Sequence, residues 1–101
     1  MNIYWTNTFK RGYKKAINKY PQLRDDILKT IRELKENPFS SNLKTHKLKG
    51  ELEGSYACSV EYNLRIVFNL VNNPLTHQTE ILLADIGTHE EVYKKFNILP
   101  E

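Results

Sequence analysis

The spacing of hydrophobic residues in the first half of the chain predicts one strand followed by two helices. Residues 2–5 are short, apolar and aromatic, which is typical of a β-strand. The spacing of apolar residues then changes to that of a helix. A single helical face would carry Phe9, Tyr13, Ala16, Ile17 and Tyr20. Thr6 or Thr8 can cap the start of this first helix.

A second apolar stripe predicts a second helix that begins at Pro21. The stripe comprises Leu23, Ile27, Ile31 and Leu34. Proline suits the first position of a helix, and the acidic pair Asp25 and Asp26 suits its positive end. Asn37-Pro38 ends the helix. The short connection between the two helices predicts an antiparallel hairpin whose apolar stripes are buried.

The second half of the chain alternates between apolar and polar residues and predicts three more strands. Residues 39–54 are polar and loop-like. Strands are expected at residues 56–61, 64–71 and 80–86, with a short terminal helix at residues 90–96. In the middle strand, Arg65 and Val67 would face away from Leu64, Ile66 and Phe68. We therefore expect one α+β domain over residues 1–101, in the order β-α-α-β-β-β-α, with the helical hairpin packed on an antiparallel sheet.

The composition favours a cytoplasmic globular domain. Of 101 residues, 40% are hydrophobic and 27% are charged, a balance typical of folded chains. No apolar run approaches the roughly 20 residues of a membrane span, and the N-terminus lacks a signal-peptide pattern. We therefore expect no interaction with membranes. Cys58 is the only cysteine, which excludes an internal disulfide, and its apolar neighbours predict a buried thiol.

Charge is distributed unevenly along the chain. Residues 1–50 carry 12 Lys or Arg and 4 Asp or Glu, a net charge of +8, whereas residues 51–101 carry 3 and 8, a net charge of −5. A basic half attracts phosphates or an acidic partner. Solvated helix faces are an equally simple explanation for Lys14, Lys15, Lys29 and Lys35.

Three short motifs, taken in order, resemble one family of small proteins. The motifs are Leu48-Lys49-Gly50, then Leu64-Arg65-Ile66-Val67-Phe68, then Gly87-Thr88-His89-Glu90-Glu91-Val92-Tyr93. Together with the order of elements, they resemble the RelE/ParE superfamily of toxins from type II toxin–antitoxin systems. Within it, the chain is most similar to the RelE/YafQ-like messenger-RNA interferases. The resemblance covers nearly the whole chain.

The resemblance implies a fold, an activity and a partner. The expected fold is a helical hairpin over a curved sheet, with the RNA site on the concave side. The expected activity is endoribonuclease cleavage of messenger RNA, usually on the ribosome, with no metal and no cofactor. A ribose 2′-hydroxyl would attack the adjacent phosphate and expel the 5′-oxygen. The expected partner is a cognate antitoxin, through which the complex would contact operator DNA.

Such a reaction needs a base, an acid and cations, and five residues are candidates for these catalytic roles. Arg65 has the planar fork that suits a phosphate, and the imidazole of a histidine such as His89 can both give and take protons. Tyr93 lies one helical turn after His89, so both can face one site. The resemblance adds His46 and Lys49 from the basic loop. Structural explanations stay open for each: an ion pair, a helix cap, simple packing, or an ordinary charged loop.

Four further residues are candidates for binding the RNA strand. They are Lys44, Lys47, Ser59 and Asn63. The chain departs from the YafQ-branch pattern at some positions: Ser59 replaces a histidine, Asn63 replaces an acidic residue, and Asp85 replaces an arginine. Two alternatives therefore stay open, a ParE-like toxin that inhibits DNA gyrase and a degenerate member that binds its antitoxin without catalysis. His77, in a polar loop, is expected to be exposed.

Overall fold

The computed structural model describes residues 1–48, 54–61 and 63–95. Strand β1 (Ile3–Trp5) is followed by helices α1 (Asn7–Lys19) and α2 (Arg24–Glu36), and then by the two-residue strand β2 (His46–Lys47). Strands β3 (Ser55–Ser59), β4 (Leu64–Asn72) and β5 (Thr79–Thr88) lead to helix α3 (His89–Lys95). The predicted order of elements is confirmed, and β2 is an addition within the predicted loop.

Local chemistry explains where the two long helices begin and end. The Thr6 hydroxyl accepts the backbone N–H of Phe9 at 3.1 Å, so Thr6 caps α1. Pro21 opens a 3-10 turn, and the regular helix α2 begins three residues later than predicted. Asn37 is extended and ends α2 at the predicted place, directly before Pro38.

The sheet is mixed, whereas the sequence predicted an antiparallel one. Its strand order is β1-β5-β4-β3-β2. The neighbours from β2 to β5 are antiparallel, but β1 pairs parallel with β5, with Ile3 opposite Ile81. A parallel neighbour requires a long crossover, which the helical hairpin begins. The local pattern of residues 2–5 could not reveal a partner so distant in sequence.

The sheet buries apolar side chains on both of its faces. The main core lies between the sheet and the helical hairpin and includes Phe9, Ile27, Leu34, Ile66 and Phe68. A smaller core lies on the opposite face, beneath α3, and comprises Leu48, Ala57, Val67, Val92 and Tyr93. The predicted division of β4 into two faces is confirmed by this arrangement. None of the described helices is long and apolar enough to cross a membrane.

Candidate active site

Strand register gathers several candidate residues on the sheet face that α3 covers. Side chains directly opposite each other on neighbouring strands share a face. His46 lies opposite Ala57, and Ser59 lies opposite Arg65. Ala57 and Val67 belong to the small core beneath α3. Because side chains two residues apart on a strand also share a face, His46, Ser59 and Arg65 all belong to this face.

A capping box determines where α3 begins and so positions His89. The Thr88 N–H donates to the Glu91 carboxylate, and the Glu91 N–H donates to the Thr88 hydroxyl, each at 3.1 Å. The two hydrogen bonds with Thr88, first that of its backbone, lower the pKa of Glu91 below the usual 4.5. The His89 N–H donates to the Asn63 carbonyl at 2.8 Å, which ties the helix start to the turn before β4. The Thr-x-x-Glu spacing is a sequence signal that would have located this cap.

Two histidines flank the side chain of Tyr93. Tyr93 is 8% exposed, and its hydroxyl lies 2.6 Å from Nε2 of His46. The rings of His89 and Tyr93 meet edge to face, with 4.3 Å between their centroids. We call His46, His89 and Tyr93 the histidine–tyrosine cluster. The structure thus brings together three of the five candidate catalytic residues.

The hydrogen bonds of His46 indicate which ring nitrogen carries the proton. Nδ1 lies 3.2 Å from the backbone carbonyl oxygen of Lys44, which can only accept a hydrogen bond. In the neutral ring Nδ1 is therefore protonated, and Nε2 accepts the hydroxyl proton of Tyr93. A proton that leaves Tyr93 has an acceptor already in contact.

Arg65 lies beside a polar cavity at the edge of the same face. The cavity has a volume of about 470 Å³, and its lining includes Lys44, Ser59 and Arg65 together with residues of α2. Nη1 of Arg65 donates to the backbone carbonyl of Leu64 at 3.0 Å. Lys44 lines the cavity and also contacts His46 through its carbonyl. The cavity and the histidine–tyrosine cluster are therefore neighbours.

The other candidates are Lys47, Asn63 and Lys49. Lys47 lies opposite Tyr56, which packs against the main core, so Lys47 belongs to the other face of the sheet. Asn63 lines a separate cavity of about 280 Å³ beside the helical hairpin. Lys49 lies outside the described residues. His77 is exposed between β4 and β5, as expected.

Two side chains with potential chemistry are internal. Asp85 is 6% exposed and accepts the backbone N–H of Ile86 at 2.8 Å. Cys58 is fully buried, as predicted, and this burial raises the pKa of its thiol to about 12. Within the described ranges, no group of three or more His, Cys, Asp or Glu side chains is arranged to hold a metal ion.

The fold matches those of several solved bacterial toxins. A YoeB/ParE toxin from Agrobacterium tumefaciens has a TM-score of 0.72 at 20% identity, over 88% of this chain and 99% of that chain. YafQ from E. coli strain BL21(DE3) has a TM-score of 0.70 at 19% identity, over 91% and 97%. A YoeB dimer from Staphylococcus aureus has a TM-score of 0.69 at 21% identity, over 88% and 97%. The fold is therefore that of the RelE-like toxins.

Sequence comparison identifies the family within this class. A family model for YafQ, the bacterial toxin of type II toxin–antitoxin systems, matches residues 1–94. The chain therefore belongs to the YafQ family of type II toxins, and the resemblance drawn from the three motifs is confirmed. A comparison with curated protein sequences found no match.

Proposed function

We propose that this toxin cleaves messenger RNA at its histidine–tyrosine cluster. The observation that carries the proposal is the 2.6 Å contact between the Tyr93 hydroxyl and Nε2 of His46, with His89 against the same phenol ring. Two imidazoles beside one phenol can supply both proton transfers of an RNA cleavage. Arg65 belongs to the same sheet face and can offset the negative charge of the phosphate.

In the proposed reaction the 2′-hydroxyl gives its proton to the Tyr93 oxygen, while Tyr93 gives its own proton to Nε2 of His46. The 2′-oxygen then bonds to the adjacent phosphorus, and the bond from phosphorus to the 5′-oxygen breaks. His89, as the general acid, gives a proton to that leaving oxygen. The products are a 2′,3′-cyclic phosphate and a 5′-hydroxyl. Each general acid or base contributes a factor of about 10² to 10⁴ in rate.

Cleavage by the purified protein tests this proposal. Two labelled substrates are used: free RNA in the presence of EDTA, and messenger RNA programmed on ribosomes. We expect cyclic-phosphate products, with faster cleavage on the ribosome, and about 10²-fold slower cleavage by His89→Ala. His77→Asn is the matched control, because His77 is exposed and its φ of 58° is a conformation that asparagine tolerates. Failure of the folded wild type to cut either substrate would contradict the proposal.

A role without catalysis is the second candidate. It is favoured by Asp85, which stands where the YafQ-branch pattern has an arginine and which is 6% exposed. Under this alternative, overexpression without an antitoxin is harmless and messenger RNA stays intact. A gyrase-inhibiting toxin would instead induce a DNA-damage response with intact messenger RNA.

An acidic antitoxin is the proposed partner. The family belongs to toxin–antitoxin systems, and E. coli YafQ has been solved in a DinJ–YafQ complex, which has a TM-score of 0.70 with this chain. The net charge of +8 over residues 1–50 suits an acidic segment that is disordered when free. Operator DNA would be contacted through that partner. Coexpression of the partner should restore growth, and rising salt should weaken the complex.

A further inference from the structure

The cavity beside Arg65 has the size and position of a ligand site. It lies between α2, the chain that precedes β2, and the adjoining ends of β3 and β4. Its volume of about 470 Å³ falls within the range of roughly 300–1,000 Å³ that is typical of small-molecule sites. Arg65 lines this cavity and shares the sheet face of His46, so a ligand here would extend toward the histidine–tyrosine cluster.

The cavity is lined by charges of both signs. Its cations are Lys29, Lys44 and Arg65, and its anions are Asp26, Glu33 and Glu61. Among the described residues there is one ion pair, between Lys15 and Glu91, and it lies outside this cavity. Lys29, Glu33 and Lys44 form no ion pair with any described residue. Both donors and acceptors therefore stay available to a ligand.

Glu33 and Arg65 both line this cavity but belong to different elements. Glu33 lies on α2, and Arg65 lies on β4. Burial is the main cause of the raised pKa of the Cys58 thiol, but Arg65 lowers that pKa and Glu33 raises it. Both charges are therefore within electrostatic range of one buried sulfur atom, which supports their meeting at this cavity.

We propose that this cavity binds the nucleobase beside the cleaved phosphodiester and that it selects guanine. The proposal rests on the ribonuclease function proposed above. Guanine presents two adjacent donors, N1–H and the N2 amino group, which match the two oxygens of the Glu33 carboxylate. Its O6 and N7 are acceptors for a lysine or arginine. Adenine would instead direct the acceptor N1 at the carboxylate, and uracil has a single N–H.

The sequence around the cut sites tests this selectivity. Cut sites are mapped for the wild type, Glu33→Gln and Glu36→Gln on the same pool of RNA. Glutamine has the size and the helix preference of glutamate. Its amide replaces one acceptor oxygen with an NH2 donor, so it cannot accept a hydrogen bond on each of two atoms from guanine. We expect guanine to be enriched beside the wild-type cut, and we expect Glu33→Gln to reduce this enrichment about 10-fold. Glu36→Gln, exposed on the same helix, should retain it.

Nucleotide binding separates failure of this inference from failure of the proposed function. Guanosine and adenosine 5′-monophosphates are titrated into the wild type and Glu33→Gln and followed by NMR. We expect the wild type to bind the guanine nucleotide about 10-fold more tightly, with shifts at the cavity residues, and Glu33→Gln to lose this preference. Cleavage without guanine enrichment would overturn the guanine site and leave the ribonuclease standing. Absence of cleavage together with guanine-selective binding would reject the ribonuclease alone, whereas equal binding of both nucleotides would overturn the site.

Discussion

The contact between Tyr93 and His46 joins residues that are 47 positions apart, so no local pattern could reveal it. Tyr93→Phe removes the hydroxyl and keeps the ring that packs beneath α3. We expect RNA cleavage to fall about 10²-fold, because the proton acceptor loses its path to the 2′-hydroxyl. The free energy of unfolding should fall by only about 1 kcal/mol, the net value of one hydrogen bond. Single-turnover cleavage and urea unfolding measure the two effects.

Tyr4→Phe is the matched control for that substitution. Tyr4 lies on β1, at the edge of the sheet opposite to β2, and its hydroxyl donates to the Glu80 carboxylate at 3.2 Å. Its removal should cost a similar amount of stability without slowing cleavage. Equal cleavage rates for Tyr93→Phe and Tyr4→Phe would show that the Tyr93 hydroxyl serves packing alone.

Cys58 makes the stability of the folded protein depend on pH in the alkaline range. A thiol pKa raised from 9.0 to about 12 means that folding favours the neutral thiol. This stabilisation is complete below pH 9 and is lost as the pH rises from 9 toward 12, at about 1.4 kcal/mol per pH unit. The free energy of unfolding, measured with urea, should therefore fall more steeply over that range for the wild type than for Cys58→Ala. Parallel pH profiles for the two proteins would contradict this account.

Individual residue positions were predictable where alternation or helical spacing sets them. Arg65 on the face opposite Ile66, and Tyr93 one turn after His89, follow from the periods of a strand and a helix. The position of Lys47 was not predictable in this way, because β2 lies within a stretch without alternation. Its pairing with Tyr56 places Lys47 on the opposite face from His46.

Helix α3 carries two of the three cluster residues, and its capping box stabilises its first turn. Glu91→Ala should lower the free energy of unfolding by about 1 kcal/mol, the usual cost of losing a cap, and should also slow cleavage. The lowered pKa of Glu91 means that the cap acts fully above its usual pKa of 4.5 and weakens as the pH falls through the lower folded value. The difference between wild type and Glu91→Ala in urea unfolding should therefore shrink in acid.

Glu90→Ala is the control for the cap, since Glu90 is an exposed neighbour in the same turn. The ion pair of Glu91 with Lys15 adds little, because its 3.8 Å contact joins side chains that are 56% and 78% exposed. Lys15→Ala should therefore be close to neutral. A loss in Lys15→Ala as large as that in Glu91→Ala would assign the effect to the ion pair and not to the cap.

The close approach of α1 to β5 depends on Gly12. A Cβ at this position would lie 2.9 Å from both the carbonyl oxygen and Cγ2 of Ile86. Alanine gains about 1 kcal/mol in helix propensity, but overpacking against a backbone atom costs roughly 1–3 kcal/mol. We expect Gly12→Ala to be destabilising in thermal unfolding. Asn18→Ala, on the exposed side of α1, should leave stability unchanged or raise it.

Elements with a clear period were predicted to within a few residues, and those without one were not. The stripes of α1 and α2 and the alternation of β4 gave bounds close to the observed ones. Strand β2 is only two residues long, so no hydrophobic pattern signals it. The parallel pairing of β1 depends on the whole chain and not on residues 3–5.

At the scale of the whole molecule, the candidate site is assembled from three separate stretches of the chain. Strand β2 contributes His46, the start of β4 contributes Arg65, and α3 contributes His89 and Tyr93. The family resemblance named candidates in all three stretches, and the register of β2, β3 and β4 brings the first stretch beside the second. The uneven charge of the chain adds a basic half that suits RNA and an acidic partner.

Mapping of transcript 5′ ends after induction in cells tests the central claim most directly. Wild type, His46→Ala, His89→Ala and the control His77→Asn are expressed at equal levels without antitoxin. We expect growth arrest and new 5′-hydroxyl ends with the wild type and His77→Asn, and a loss of about 10²-fold in these ends with the other two variants. New 5′ ends at wild-type levels in both His46→Ala and His89→Ala would contradict the claim that the histidine–tyrosine cluster cleaves RNA.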